Sequence, residues 1–411
     1  MWQAVLSSPL RAAAESAART LVDDLLRTPP DDIPDPWSAA QCALVAWEHG
    51  RLTGDPRHHT AAEAFADRAA ALGASATMEA RFIKGFVGVG WLFELMQDSA
   101  DPTGPDDDDA GLDAAVAALA QRDPWPGVGY FDLVSGLVGA GVYFLSRPSS
   151  PQVSAYLEAI VYRLEESAEY LEDGIAWWGA TVLGPDHVVS CFNLGLAHGV
   201  PGVVGFLARA LSRGVSPRRT HALLEGAVRW ILAQRLAAGP SCFPTYCTPA
   251  GPDGPARAAW CYGDPGVALA LMAAASAADR RDWEAAAVDV ALVAARRPTE
   301  TTHVLDASVC HGAAGLVHVF NRLYQASGEA QLRDAAARWA ETTLGLLAAG
   351  RWDGVPGSGA PLVAKRASVL EGQAGIALAL LSASAERAPL WDAMLLSDLA
   401  PGPSARARVV A

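Results

Sequence analysis

The stretch GVPGVVGFLARAL at residues 199–211 runs from a G-x-x-G motif straight into an apolar segment, and this combination recurs along the chain. Copies of the motif are spaced roughly 50 to 65 residues apart, an interval typical of repeat architectures. The six copies are GFVG (85–88), GLVG (136–139), GVPG (199–202), GDPG (263–266), GAAG (312–315) and GQAG (372–375). The repeat therefore dominates the expectation for the fold.

The segments after the glycines differ in pattern from the segments between them. VALALMAAA at residues 267–275 is apolar on all sides, which is typical of a buried helix. The intervening segments carry apolar residues at three- and four-residue spacing among charges, which predicts outer helices with one solvated face. These segments are 155–171, 220–236, 283–295 and 330–347, and upstream the pattern adds an N-terminal helix paired with 39–47 and the segment 59–72 paired with the GFVG helix.

Alternating outer and inner helices predict an all-α fold, an α/α toroid (barrel) of about seven outer/inner helix pairs. Each inner helix opens at a G-x-x-G motif, so the residues just before the glycines are expected along one rim of a central cavity. Glycine would let the backbone turn sharply and approach a neighbouring helix closely. Residues 172–197 and 239–260 lack helical period and leave room for short strands.

Composition favours one large core and excludes several classes of partner. The chain is 51% apolar and carries a net charge of −14, which argues against nucleic acid as a ligand. No apolar run is long enough for a membrane span, and no signal peptide opens the sequence, so a cytoplasmic location is expected. We expect residues 1–400 to form a single domain, residues 401–411 a flexible tail, and the acidic run 101–109 a surface loop.

Three of the motifs are preceded by residues that carry chemistry, in AHG (197–199), WCYG (260–263) and CHG (310–312). If the repeats are equivalent, Cys261, Cys310 and His311 meet on one rim. Two thiolates and an imidazole suit Zn²⁺, and three protein ligands leave a fourth position open, as in catalytic zinc sites. From spacing alone, the alternative is that the cysteines are small core residues.

An open zinc site has two chemical uses. It activates water, or it binds a substrate thiol and lowers the pKa of that thiol so that the reactive thiolate forms. Two cysteine ligands donate much negative charge to the metal, which favours thiol chemistry modestly over water activation.

In their order and spacing, AHG-x-x-G, WCYG-x-PG and CHG-x-x-G resemble the motifs of the LanC lanthionine cyclases and their LanC-like relatives. The resemblance covers nearly the whole chain, from about residue 39 to residue 381. It implies the α/α toroid and one catalytic Zn²⁺ held by Cys261, Cys310 and His311. It also implies catalytic roles for His198, Asp132 and Arg257, because each lies where the family carries a histidine, an aspartate and an arginine.

The resemblance implies a zinc-dependent lanthipeptide cyclase. Such an enzyme adds peptide cysteine thiols to dehydroalanine or dehydrobutyrine in a Michael-type reaction and closes (methyl)lanthionine rings. We expect His198 to act as acid/base, Asp132 to orient it or balance its charge, and Arg257 to stabilise or position groups near the enolate. The alternatives are a capping role for Asp132 and a surface ion pair for Arg257.

The expected substrate is a dehydrated precursor peptide, and because no large N-terminal region precedes the repeats, a separate dehydratase is the expected partner. A LanC-like enzyme that adds glutathione to dehydroamino acids and a non-catalytic helical scaffold with structural zinc remain alternatives. A toroid glycosidase is disfavoured because no paired carboxylates stand out. Cys242 and Cys247 form at most a weak second metal pair.

Overall fold

A computed structural model describes residues 2–97, 110–121, 130–184 and 187–400. The acidic run 101–109 and the tail 401–411 lie outside the described residues, so both expectations stay predictions. The helices are α1 (Ser8–Leu26), α2 (Pro36–Thr53), α3 (Pro56–Gly73), α4 (Phe86–Gln97), α5 (Ala110–Ala120), α6 (Leu137–Ser146), α7 (Pro151–Glu166), α8 (Val200–Ser212), α9 (Pro217–Ala233), α10 (Asp264–Ala278), α11 (Arg281–Arg296), α12 (Ala313–Ser327), α13 (Ala330–Ala348), α14 (Leu362–Ala367) and α15 (Gln373–Ser384).

Burial separates the two kinds of helix as the sequence predicts. Helix α15 is buried along its whole length, and α8, α10 and α12 are buried at nearly every position. Helix α9 buries one face only, which includes Leu223, Leu224, Ala227 and Ile231. Among the described residues, no helix is both long enough and apolar enough to cross a bilayer.

Several helix starts follow from local sequence. Proline occupies the first position of α3, α7 and α9, where its missing N–H costs no hydrogen bond. Asp35 caps α2 by accepting a hydrogen bond from the Ser38 N–H, and Ser150 caps α7 in the same way through Val153. These signals fix where the chain enters each helix.

The helices pack into two compact units. One comprises residues 1–78, 258–260 and 291–411, and within it α2 packs on α3, α12 on α13, and α1 on α15. The other comprises residues 79–257 and 261–290, and within it α8 packs on α9 and α10, and α4 on α6. The prediction of a single domain over residues 1–400 stays a prediction.

Short strands occupy the two segments that lack helical period. β1 (Glu169–Leu171) and β2 (Gly174–Ala176) form an antiparallel hairpin, so the outer helix expected over 155–171 is too long at its end and stops at Glu166. β3 (Trp178–Gly184), β4 (His187–Asn193), β5 (Tyr246–Thr248) and β6 (Gly251–Pro252) form an antiparallel sheet in that order. Strand β4 ends at Asn193, five residues before His198, so the sheet leads directly into the histidine loop.

The motif glycines make room for the loop that precedes each inner helix. A Cβ on Gly199 would lie 2.1 Å from the Asn193 carbonyl oxygen, and one on Gly315 would lie 2.0 Å from the Val309 carbonyl oxygen. Both distances are far below van der Waals contact, so any side chain would push the loop away. At these two glycines the close approach therefore involves the backbone six residues upstream, whereas the sequence analysis expected it to involve a neighbouring helix.

Successive loops are joined laterally by backbone hydrogen bonds. In the unit that holds residues 79–257 and 261–290, the Ile83 N–H donates to the Val134 carbonyl at 3.0 Å. The Leu133 N–H donates to Ala197 at 3.3 Å, and the Ala197 N–H donates to Cys261 at 3.4 Å. The residues just before the glycines of this unit therefore lie side by side, as the repeat alignment predicts.

Candidate metal centre and histidine–aspartate dyad

His198 and Asp132 form a hydrogen-bonded dyad. The imidazole Nδ1 lies 2.6 Å from Asp132 Oδ2, and the other carboxylate oxygen accepts the Ser135 N–H at 2.7 Å. The carboxylate is buried, whereas the imidazole is 40% exposed. With Nδ1–H donated to Asp132, Nε2 is the nitrogen left to exchange a proton with a ligand.

The surroundings of His198 favour its protonated form. Burial acts to lower the pKa of His198, but the hydrogen bond and negative charge of Asp132 act against it, with a further contribution from the charge of Cys261. The balance raises the pKa of His198 above its ordinary value. A histidine whose pKa is tuned by a neighbouring carboxylate is suited to acid/base work.

Cys261, Cys310 and His311 form the candidate metal centre. Each offers one ligand atom, and these atoms all lie within 4.8 Å of one another, the only such group of three in the part of the chain that the structure describes. Cys261 is buried, and the other two side chains are half-buried. The three residues that the repeat alignment places on one rim are therefore close enough to share one ion.

The contacts of His311 fit a metal ligand. Its Nε2 lies 3.1 Å from the Gly354 carbonyl oxygen and 3.8 Å from Asp306 Oδ2, so Nε2–H donates to the carbonyl. Metal-binding histidines commonly donate their other ring N–H to a carbonyl or carboxylate. Two sulfurs and one nitrogen are a donor set that suits Zn²⁺.

Tyr262 of the WCYG motif connects the site to Asn193, a residue outside the motifs. The Tyr262 ring lies 6.4 Å from the His198 ring, centroid to centroid, and its hydroxyl accepts a hydrogen bond from Asn193 Nδ2 at 3.1 Å. Burial raises the pKa of Tyr262 to about 12, so the phenol stays protonated. The position of Asn193 before the AHG motif carried no sequence signal of this contact.

Arg257 contributes its backbone to the packing of the motif glycine Gly263. The residue is exposed and lies four positions before Cys261 in the sequence. Its carbonyl oxygen occupies the space beside Gly263, 1.8 Å from where a Cβ would lie. The catalytic role expected of Arg257 and its alternative, a surface ion pair, both stay predictions.

Cys242 and Cys247 have separate surroundings. The Cys242 sulfur contacts Arg235 Nη2 at 3.5 Å, and the Cys247 sulfur donates to Gln234 Oε1 at 3.4 Å. Burial raises the pKa of Cys242 to about 12 and that of Cys247 to about 11, so both thiols stay protonated. No observation supports a second metal pair at these cysteines.

The chain is a helical protein whose buried helices open at glycine motifs. It combines a candidate Cys₂His metal centre with a histidine–aspartate dyad. Residues 40–396 match the family model described as "Lanthionine synthetase C-like protein". This match spans most of the sequence, so the chain belongs to the LanC-like family. No curated protein matches the sequence.

The fold is similar to that of a solved structure, nisin cyclase. The TM-score is 0.73 and the identity 16%, with 95% of this chain and 98% of that chain covered. At this identity the likeness concerns the fold, and it confirms the predicted all-α, α/α-toroid class. The count of seven helix pairs stays a prediction.

Proposed function

We propose that this chain is a zinc-dependent lanthipeptide cyclase that adds peptide cysteine thiols to dehydroalanine or dehydrobutyrine and forms (methyl)lanthionine rings. The observation that carries the proposal is the Cys261, Cys310 and His311 set, with ligand atoms within 4.8 Å of one another. Membership of the LanC-like family and the likeness to nisin cyclase support a cyclase-type activity.

One Zn²⁺ is the proposed cofactor, with Cys261, Cys310 and His311 as its protein ligands. Bound Zn²⁺ supplies a Lewis acid that lowers the pKa of a substrate thiol. The Gly354 carbonyl holds the imidazole of His311 through Nε2–H, and we assign Nδ1 as the nitrogen that would bind the ion. The two cysteine ligands favour a thiol substrate over water, which separates this proposal from a hydrolase.

His198 and Asp132 are proposed to manage the proton of the addition. Nε2 of His198 accepts the thiol proton, and Asp132 stabilises the resulting imidazolium through the 2.6 Å contact to Nδ1. A sulfur electron pair forms the new C–S bond at the β-carbon, the C=C π bond breaks, and a proton from His198 reaches the α-carbon. Atoms and electrons balance without any further reactant.

Arg257 is proposed to stabilise negative charge on the carbonyl oxygen of the enolate as the C–S bond forms. Its exposed side chain is long enough to turn toward a bound peptide, and a guanidinium is a strong hydrogen-bond donor to a developing oxyanion.

The proposed substrate is a dehydrated precursor peptide, made by a separate dehydratase partner in the cytoplasm. The alternative, addition of glutathione to dehydroamino acids, uses the same proton chemistry on a second, free thiol. The two activities differ in product, because ring closure leaves the peptide mass unchanged and glutathione addition increases it.

The test incubates zinc-loaded protein with a dehydrated peptide that contains cysteine. Free thiols are counted by alkylation and mass spectrometry, with and without glutathione. We expect loss of alkylatable thiol at constant peptide mass, and loss of that activity in His198→Asn with zinc content unchanged. His59→Asn, at an exposed histidine, is the matched control and should retain full activity. Equal thiol counts with and without the wild-type protein would contradict the proposal, and a glutathione adduct would favour the alternative.

A further inference from the structure

We propose that Asn193 is a positioning residue for the cyclisation. Its side chain ties the loop that carries His198 to the turn that carries Cys261. The inference rests on the proposed function and assigns a role to a residue that the motifs leave unassigned. All of its contacts lie in the unit that comprises residues 79–257 and 261–290.

The amide of Asn193 joins three segments. It is fully buried at the end of β4, and its Oδ1 accepts the Gly195 N–H at 2.7 Å. Its Nδ2 donates to the Thr181 hydroxyl on β3 at 2.7 Å and to the Tyr262 hydroxyl at 3.1 Å. Because a backbone N–H only donates, the atom facing Gly195 must be oxygen, and the nitrogen therefore faces the two hydroxyls.

The histidine loop and the cysteine turn are in direct contact where Asn193 holds them. A Cβ on Gly195 would lie 2.7 Å from the Cys261 carbonyl oxygen and 2.7 Å from the Tyr262 ring. The Ala197 N–H also donates to the Cys261 carbonyl, at 3.4 Å. A shift of the loop therefore moves His198 relative to both Cys261 and Tyr262.

Removal of the amide breaks three hydrogen bonds, although the Thr181 hydroxyl keeps its contact with Cys191 Sγ at 3.4 Å. The Gly195 N–H would lose its acceptor, and the Thr181 and Tyr262 hydroxyls would lose their common donor. The loop would relax to find new partners and carry the His198 ring with it. Because small displacements of a catalytic group cost large factors in rate, we expect the turnover number to suffer more than substrate binding.

The chain offers a matched control in Asn321. This asparagine is equally buried, donates from Nδ2 to the Ser382 carbonyl at 3.1 Å, and accepts from Gln325 through Oδ1 at 3.0 Å. It belongs to the unit that comprises residues 1–78, 258–260 and 291–411, and both of these hydrogen bonds lie within that unit. Asn321→Ala therefore reproduces the loss of a buried amide without the proposed positioning role.

The experiment measures kcat, KM, zinc content and melting temperature of the full chain with a dehydrated peptide. We expect Asn193→Ala to lower kcat by about 10- to 100-fold while KM and zinc content change by less than about twofold. Asn321→Ala should lower the melting temperature comparably but leave kcat within about twofold of wild type. In a Tyr262→Phe background, Asn193→Ala should cost less than it does in the wild type, because the two share one hydrogen bond.

The proposal is wrong if Asn193→Ala keeps wild-type kcat, or if Asn321→Ala loses as much. Should Asn193→Ala fail to fold, Thr181→Val removes one partner of the amide with little change in volume, and an unchanged kcat in that variant would also overturn the proposal. If the wild-type protein closes rings and Asn193→Ala does so with the same kcat, only this inference is wrong. A wild-type protein that closes none defeats the proposed function itself.

Discussion

At Asp132, one carboxylate oxygen accepts the Ser135 N–H at 2.7 Å and the other contacts His198 Nδ1 at 2.6 Å. The first contact fixes the turn before α6, and the second fixes the imidazole. The capping and catalytic interpretations of Asp132 are therefore compatible, because each uses a different oxygen of one buried side chain.

Replacement of Asp132 should affect both rate and pH dependence. Asp132→Asn keeps the shape but removes the negative charge that raises the pKa of His198, so that pKa falls. We expect kcat to drop at least tenfold, and the limb of the kcat/KM profile set by His198 to move to lower pH. Steady-state cyclisation rates across pH, with Glu79→Gln as an exposed control, test this. An unmoved limb would exclude Asp132 as the partner that sets the pKa.

Loss of one cysteine should abolish the metal centre. Cys310→Ala leaves two ligands, so we expect zinc content to fall well below one equivalent and cyclisation to stop. Cys42→Ala removes a buried cysteine of α2, far from the motif positions in sequence, and should retain zinc. Elemental analysis of both variants after dialysis gives the answer. Stoichiometric zinc in Cys310→Ala would refute the ligand assignment.

The three candidate ligands were predictable because they directly precede glycine motifs that the repeat alignment makes equivalent, whereas the pairing of His198 with Asp132 was predicted from the family resemblance. The contacts of Asn193 were not predictable, because those join a strand end, a second strand and a distant turn. The role expected of Arg257 comes from the family resemblance, and it stays a prediction.

At the scale of elements, the glycine motifs determine how each loop meets its inner helix. Gly136, Gly199 and Gly315 all face the carbonyl of the residue six positions upstream, at 2.0 to 2.2 Å from a Cβ position. The loops carry the reactive side chains, so the space that the glycines leave determines how close those side chains lie to the helix ends. A packing feature thereby has a chemical consequence.

A methyl group at one of these glycines should destabilise the protein. Gly315→Ala would place a Cβ 2.0 Å from the Val309 carbonyl, next to Cys310, and we expect a loss of about 1 to 3 kcal/mol in the free energy of unfolding together with weaker zinc binding. Gly345 lies at an exposed position of α13, and a Cβ there would have no atom within 4 Å. Gly345→Ala should therefore raise the free energy of unfolding by about 0.5 to 1 kcal/mol. Chemical denaturation compares them, and a Gly315→Ala protein as stable as wild type would refute the role of the contact.

The outer helix expected over 220–236 is placed three residues too late, because α9 runs from Pro217 to Ala233. Proline at the first position marks this start, and the apolar spacing alone does not contain that signal. The end of α7 was not predictable, because residues 169–171 continue the amphipathic spacing while pairing with β2 instead. Tertiary pairing overrides a weak helical period in so short a segment.

At the scale of the whole molecule, two buried histidines make stability depend on pH. The rings of His49 and His58 lie 4.2 Å apart, both buried, and the Nδ1 of His58 has no hydrogen-bond partner among the described residues. Burial, then the neighbouring His58, lowers the pKa of His49 to about 4, and burial also lowers the pKa of His58. In the folded state both rings are therefore held neutral.

Acid should unfold the protein within a defined window. Unfolded His49 binds a proton below about pH 6.5, whereas folded His49 does so only near pH 4, so stability is complete above pH 6.5 and falls as the pH drops toward 4. The pKa difference corresponds to roughly 3 kcal/mol. His49→Phe should flatten this dependence, and His59→Gln, at an exposed neighbour, should not. Denaturation curves between pH 4 and 7 test this, and an unchanged slope in His49→Phe would contradict it.

The fold class of the whole chain was predictable because the glycine motif occurs six times, and each copy marks the start of an inner helix. The two compact units were not predictable, because the periodicity is continuous across their boundaries at residues 78, 257, 260 and 290. A one-dimensional pattern indicates which helices are equivalent, but not how they divide into groups.

The backbone hydrogen bonds between adjacent loops limit which residues these loops can accept during evolution. Leu133 and Ala197 each give their amide proton to the adjacent loop, so neither site can accept proline, whatever side chain the chemistry would tolerate. An insertion in one loop would break its register with the next. Divergence among relatives should therefore accumulate in the hairpins at residues 169–176 and 246–252, and a family alignment with frequent gaps at 131–136 or 195–199 would speak against it.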